Sequence, residues 1–203
     1  MEAATGQDRP DGFPVPFVVV ALIASAGGLD ALTRVLATLP ANLPAAILVA
    51  LHQDPRMVSQ LTGLLARHTA LPVELATDRA FIRPGTVTVV PPGKHLLVTA
   101  ETRVGLIETG ALPPARPSAD LLLATLAVTC GPRALAVILT GMGHDGQAGA
   151  RAIAHCGGTV FAQDELSSKF FAMPSAAIST HLVSQILPLD DIAAAISAHI
   201  ART

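Results

Sequence analysis

The chain has 203 residues, 51% hydrophobic and 14% charged, which is enough for one well-buried domain with an aliphatic core, because aromatics make up only 3%. A formal net charge of -2 without any Lys/Arg cluster argues against nucleic acid as a partner. The apolar runs break well before the roughly 20 residues a spanning helix needs, and the acidic, polar N-terminus is no signal peptide, so a soluble cytoplasmic protein with no membrane insertion is expected.

Residues 1–16 carry prolines and no periodicity and are expected to form a disordered lead-in to a single domain over 17–203. Phe17 to Ala24 is a continuous Val-rich run that stops at Ser25 and passes Gly27 and Gly28. Leu29, Leu32, Val35, Leu36 and Leu39 then follow the helical period, so the segment predicts a buried strand, a tight turn and a helix. Ala45–Leu51 is a second buried strand ending at His52, residues 56–67 are expected to be helical, and Val73–Ala76 a short strand.

Thr86–Val90, Lys94–Thr99 and Arg103–Glu108 are short β-type runs that predict an antiparallel excursion at a sheet edge. A Pro-rich loop over Leu112–Pro117 leads to Ser118, a good N-cap for a helix over 119–130. The alternation then returns. Arg133–Leu139 is a strand, Thr140–Gly146 a glycine-rich loop, Gln147–His155 a helix and Gly158–Ala162 a strand. Pro174 is expected to open a short helix, Leu182–Leu187 to form the last strand and Asp190 to cap a final helix to about 201. Strands alternating with helices predict an α/β fold: one doubly wound, mostly parallel sheet with helices on both faces and an antiparallel edge hairpin. Cys130 and Cys156 lack metal-ligand spacing and are expected to be buried free thiols.

Three strand ends carry residue types useful for acyl transfer: Ser25, His52, and Asp145 in the loop after Leu139. Carboxyl ends of parallel strands share one sheet edge, so residues far apart in sequence can meet there. A serine hydroxyl is a weak nucleophile until a neutral imidazole takes its proton, and a carboxylate fixes that imidazole's tautomer. Each residue also has a plainer role: a phosphate-binding turn or helix cap for Ser25, a structural histidine for His52, an Asp-Gly turn for Asp145. Spacing alone does not choose His52 over His144. The G-x-S-x-G elbow of ordinary α/β-hydrolases is missing.

Several motifs run in order along the chain: Ala24-Ser25-Ala26-Gly27-Gly28, His52, Arg116-Pro117-Ser118-Ala119-Asp120, Leu139-Thr140-Gly141-Met142-Gly143-His144-Asp145-Gly146, Ala162-Gln163-Asp164-Glu165 and Ala172-Met173-Pro174. They resemble the catalytic domain of chemotaxis methylesterases of the CheB type. The resemblance implies hydrolysis of glutamyl γ-methyl esters on methyl-accepting chemoreceptors, with methanol released, and a related deamidation of certain receptor glutamines. It implies Ser25 as nucleophile, His52 as general base and then acid, Asp145 as orienting carboxylate, and the backbone N–H groups of Met142 and His52 as the oxyanion hole. No metal or organic cofactor is implied. The sequence departs from the family's habit at Ile23 and Arg79, where the family usually has glycine, at Leu51, where it usually has Gln or a similar polar residue, and at Lys169-Phe170-Phe171-Ala172 before Met173-Pro174. The receiver domain that precedes this domain in the chemotaxis enzymes has no room in residues 1–16. An excised piece, a constitutively open esterase, or control by a separate regulatory protein is therefore expected. The alternative from another class is a catalytically silent module of the same fold that docks on a receptor or partner protein.

Overall fold

The computed structural model describes residues 15–54, 59–108 and 117–203. Seven strands form one parallel sheet: β1 (Val18–Ala24), β2 (Ala45–Leu51), β3 (Val73–Leu75), β4 (Val87–Val89), β7 (Ala134–Ile138), β8 (Thr159–Gln163) and β9 (Gln185–Leu187). β5 (His95–Val98) and β6 (Val104–Ile107) pair antiparallel as a separate two-stranded sheet. The order across the large sheet is β3-β4-β2-β1-β7-β8-β9. The chain leaves β1 toward β2 on one side and returns to β7 on the other. Neighbouring connections therefore diverge at the carboxyl end of β1, where a crevice opens in such sheets.

Every residue of β1, β2 and β7 is buried, because helices cover both faces and no strand position has a wet side. Alternate side chains feed two cores. Val19, Ala21 and Ile23 face one with α3 (Ala119–Cys130), α4 (Gln147–His155), α5 (Ala172–Ile178) and the hairpin. Val18, Val20, Leu22 and Ala24 face the other with α1 (Gly28–Ala37), α2 (Leu61–Ala66) and α6 (Ile192–Ile200). Fully burying such an aliphatic side chain stabilises the fold by about 1.5–3 kcal/mol. The fold is therefore the predicted α/β sheet, covered on both faces.

Four local expectations are corrected. Thr86–Val90 is not part of the antiparallel excursion: β4 runs parallel between β3 and β2, while the β5–β6 hairpin packs against α3. Thr125 Oγ1 accepts from Val98 N at 3.0 Å and Thr129 Oγ1 donates to Val98 O at 3.1 Å, tying that hairpin to the helix. Asp190 lies in a 3-10 turn and pairs with Arg34 rather than capping α6. The helix expected to open at Pro174 begins at Ala172. Gln185–Leu187 is all that pairs of the Leu182–Leu187 run. The expected disordered lead-in and Pro-rich loop lie largely outside the described residues, as does the start of the helix expected over 56–67; Val15 is fully buried in the core. Both cysteines are free, Cys130 buried and Cys156 half-buried. Burial pushes the Cys130 thiol up to about 12, so it stays protonated and unreactive. Among the described residues no helix is long and apolar enough to cross a membrane.

Candidate active site

Ser25 is the first residue after β1. Its amide donates to Thr140 O at 3.1 Å and its carbonyl accepts from Gly28 N at 2.9 Å, which turns the chain from strand into α1. Gly27 occupies the left-handed region there at φ 75, a conformation costly for a residue with a Cβ. Gly141 serves a different need, close approach: a Cβ on it would lie 2.2 Å from Met173 Sδ and 2.9 Å from Ser25 Cβ. Both loops therefore press close around the hydroxyl.

His52 follows β2 and reaches across to the loop after β7, where its Nε2 meets Asp145 Oδ2 at 2.8 Å. Each side chain is only 15% exposed, so solvent weakens this contact little. The carboxylate acts as acceptor for a whole helix end. Oδ2 also accepts from Ala119 N at 2.8 Å, and Oδ1 accepts from Asp120 N at 3.0 Å and the Ser118 hydroxyl at 3.4 Å. These donors belong to the first turn of α3, whose unpaired N–H groups and positive dipole end favour an anion. Burial alone would raise Asp145, but the bonds from His52, Ala119 and Asp120 together with the imidazole's charge outweigh it and hold the carboxyl below its ordinary range. An ionised Asp145 accepts from Nε2–H, which leaves Nδ1 as the ring nitrogen free to take a proton.

The expected N-cap at Ser118 is present: its hydroxyl accepts from Leu121 N at 3.3 Å. A residue whose role sequence reasoning missed is Asp120. Its Oδ1 accepts from Gly146 N at 2.9 Å and Gly149 N at 2.7 Å, the N-cap and third residues of α4, which has no capping side chain of its own. Asp145 thus caps α3 while Asp120 caps α4, a crossed pair of caps that fixes the carboxylate from both sides. The signal available in sequence was an Asp in the first turn of one helix and an Asp-Gly before another; nothing local said that they exchange.

A cavity of about 370 Å³ is lined by Ser25, Gly27, Gly28, Leu29, Asp30, Leu51, His52 and Lys169. Ser25 and His52 thus line one cavity, and His52 joins Asp145 directly. The Ser25 hydroxyl has no hydrogen-bond partner among the described residues, so the serine–imidazole link is open in this state. Such contacts often close only when substrate is bound. Of the two amides expected in an oxyanion hole, Met142 N has no backbone acceptor among the described residues, whereas His52 N donates to Ala24 O at 3.1 Å. That bond extends the β1–β2 ladder by one step, and an oxyanion would have to share it. His144, the rival to His52, is exposed beside the loop and does not line the cavity.

Thr140 ties the Ser25 turn to the segment that carries Lys169. Its hydroxyl accepts from Phe170 N at 2.9 Å and lies 3.1 Å from Ala26 O, while its amide donates to Gln163 Oε1 at 2.8 Å. Gly141 N donates to Phe170 O at 2.9 Å. Among the described residues no three His, Cys, Asp or Glu side chains cluster as a metal-ligand set.

The family model for CheB methylesterase matches residues 20–196. A protein-glutamate methylesterase/protein-glutamine glutaminase of Moorella thermoacetica is 44% identical over 184 residues, covering 89% of this chain and 43% of that protein. The protein-glutamate methylesterase FrzG of Myxococcus xanthus is 41% identical over 183 residues, covering 90% of this chain and 55% of its own. The chain therefore spans about half the length of these curated relatives. The crystal structure of the Thermotoga maritima CheB methylesterase catalytic domain superposes with a TM-score of 0.86 at 32% identity, covering 91% of this chain and 99% of that one. With the family model spanning most of the sequence and the fold superposing over nine-tenths of it, the chain belongs to the CheB methylesterase family.

Proposed function

We propose that the domain is a serine esterase acting on glutamyl γ-methyl esters of a protein substrate, with methyl-accepting chemoreceptors as that substrate. The observation that carries the reading is the 2.8 Å His52–Asp145 bond at a cavity whose wall also holds Ser25. In this mechanism Ser25 Oγ attacks the ester carbonyl as its proton passes to His52 Nδ1. Asp145, kept ionised by the end of α3, stabilises the imidazolium and holds the ring in place. The Met142 amide supports the developing oxyanion, a contribution of about 3 kcal/mol for one donor in comparable enzymes. Collapse of the tetrahedral species breaks the carbonyl–OCH₃ bond, and the leaving oxygen takes the proton from His52 to depart as methanol. Water then attacks the acyl-serine, giving its proton to His52, which passes it to Ser25 Oγ as the acyl bond breaks, leaving a glutamic acid that ionises to the carboxylate. The same steps on a glutamine amide release ammonia.

The test is methanol release from methylated chemoreceptor cytoplasmic fragments, wild type against Ser25→Ala. Release is expected from the wild type and to fall by at least about three orders of magnitude in the variant. Equal release from both, with both proteins folded by circular dichroism, sinks the assignment of Ser25.

A further inference from the structure

A methyl ester is neutral, so its recognition needs no cation, yet the cavity carries one. Lys169 lines it beside the start of α1, and a Cβ on Gly27 would lie 3.0 Å from Lys169 Cβ and 3.1 Å from Lys169 Cδ. The aliphatic stem is therefore laid along the Gly27 backbone, and the residue as a whole stays exposed, as lysines whose stems cover protein surface do. No carboxylate among the described residues lies within ion-pair distance of it. The other charged residue on the wall, Asp30, is an exposed carboxylate in the first turn of α1, 3.9 Å from Arg34, which also pairs with Asp190.

The backbone that carries Lys169 is anchored on both sides. Ser168 Oγ donates to Asp164 O at 2.6 Å, and Phe170 is bound to Thr140 and Gly141 through its N–H and C=O at 2.9 Å each. A second feature of the same cavity favours negative charge independently: Gly27, Gly28 and Leu29 of the α1 N-terminus form its floor, with the positive end of the helix dipole toward it. A lysine and a helix N-terminus thus line, with Asp30, the cavity that holds the proposed nucleophile, whose substrate group is uncharged.

Building on the esterase reading, we propose that Lys169 is a specificity-determining residue that binds a carboxylate flanking the glutamyl ester, so that the domain prefers esters set among acidic side chains. Lys169 does not touch the reacting atoms; it adds binding energy from a neighbouring group, which enters as affinity rather than as turnover. It also discriminates by charge, since a neutral neighbour leaves the ammonium with water alone.

The experiment uses two synthetic peptides, each with one glutamyl γ-methyl ester, flanked in one by Glu and in the other by Gln. Binding to Ser25→Ala protein is read by fluorescence anisotropy, which separates affinity from catalysis. The Glu-flanked peptide is expected to bind about threefold to fivefold tighter, the range of a solvent-exposed ion pair. The preference should shrink with added salt. It should vanish in Lys169→Met, which keeps the stem over Gly27, and return in Lys169→Arg. A preference that survives in Lys169→Met, or no preference in the parent, overturns the proposal. So does a Lys169→Met variant that loses affinity equally for both peptides, because that marks a packing role. Methanol release by the wild type judges the esterase reading separately: binding preference without release sinks that reading alone, and release without preference sinks this one alone.

Discussion

Replacing Asp120 by alanine tests the crossed caps. The substitution removes one oxygen that accepts two amides, Gly146 N at 2.9 Å and Gly149 N at 2.7 Å, on glycines that are both buried. Loss of a helix cap costs about 1 kcal/mol. Loss of the favourable charge at a helix N-terminus adds about 0.3–1 kcal/mol. Each amide left without a partner costs up to about 1–3 kcal/mol, reduced here because Asp120 is half-buried and water can fill part of its place. Together these give a loss of about 2–4 kcal/mol for Asp120→Ala. Asp120→Asn keeps an acceptor oxygen and loses only the charge, so about 1 kcal/mol is expected. Gly146 directly follows Asp145, so loosening the start of α4 also moves the carboxylate that holds His52. A displacement of about 1 Å there lowers turnover by about 100-fold. Urea unfolding gives the stability order and ester hydrolysis below the transition gives kcat. Both should rank wild type, then Asn, then Ala. An Asp120→Ala protein with wild-type midpoint and kcat would refute the reasoning, and a midpoint loss without any change in kcat would confine Asp120 to stability.

Asp145→Asn should leave a folded protein with turnover lower by about four orders of magnitude, because an amide no longer fixes the productive tautomer; near-wild-type hydrolysis removes Asp145 from the triad. The same variant carries a signed pH dependence. Asp145 titrates below its ordinary range in the fold, so its ionisation contributes stability that is fully present above the unfolded value of about 3.9 and is lost as pH falls through the lower folded value. The gap in urea midpoint between wild type and Asp145→Asn should therefore be wide at pH 7 and shrink as pH falls below about 3.9, and a constant gap contradicts the shift. Arg79→Gly should stabilise. Arg79 sits at φ 64 with its side chain 91% exposed, and its backbone bonds to Val104 and Arg103 survive the change. Relief of left-handed strain, about 1–2 kcal/mol, exceeds the entropic cost of glycine, about 0.5–1 kcal/mol. The thermal midpoint should rise by about 2 °C, and a fall would show that the arginine side chain contributes more than its position suggests.

Elements set by local pattern were legible. Ala45–Leu51, Ala119–Cys130 and Gln147–His155 were readable to the residue, because a buried apolar run, a Ser118 cap and a helical period are each contained within the segment. The direction of β4 was not, because Thr86–Val90 looks the same in either orientation and only the route of the chain back to β2 decides it. Asp190 resembles a cap in sequence, but the nearby Arg34 takes its carboxylate. At the candidate site, Ser25, His52 and Asp145 were legible as strand-end residues, and a parallel sheet brings such ends to one edge. What local sequence does not encode is which acceptor each donor finds across that edge. The His52–Asp145 bond spans 93 residues and the Asp120–Gly149 bond 29, and both exist only once the helices are docked.

The double duty of Asp145 bears on how decayed relatives should be recognised. Groups that exist for chemistry usually burden a fold, and their loss tends to stabilise it. Asp145 is the opposite case: it secures the start of α3, so a descendant without any catalytic role would still be selected to retain it, and Asp120 with it. Ser25, whose hydroxyl has no partner among the described residues, carries no such structural debt. Across the lineage, the serine is therefore the informative position. On the proposed mechanism, a copy that keeps both aspartates but has alanine or glycine in place of Ser25 is a retired esterase whose architecture has outlived its reaction.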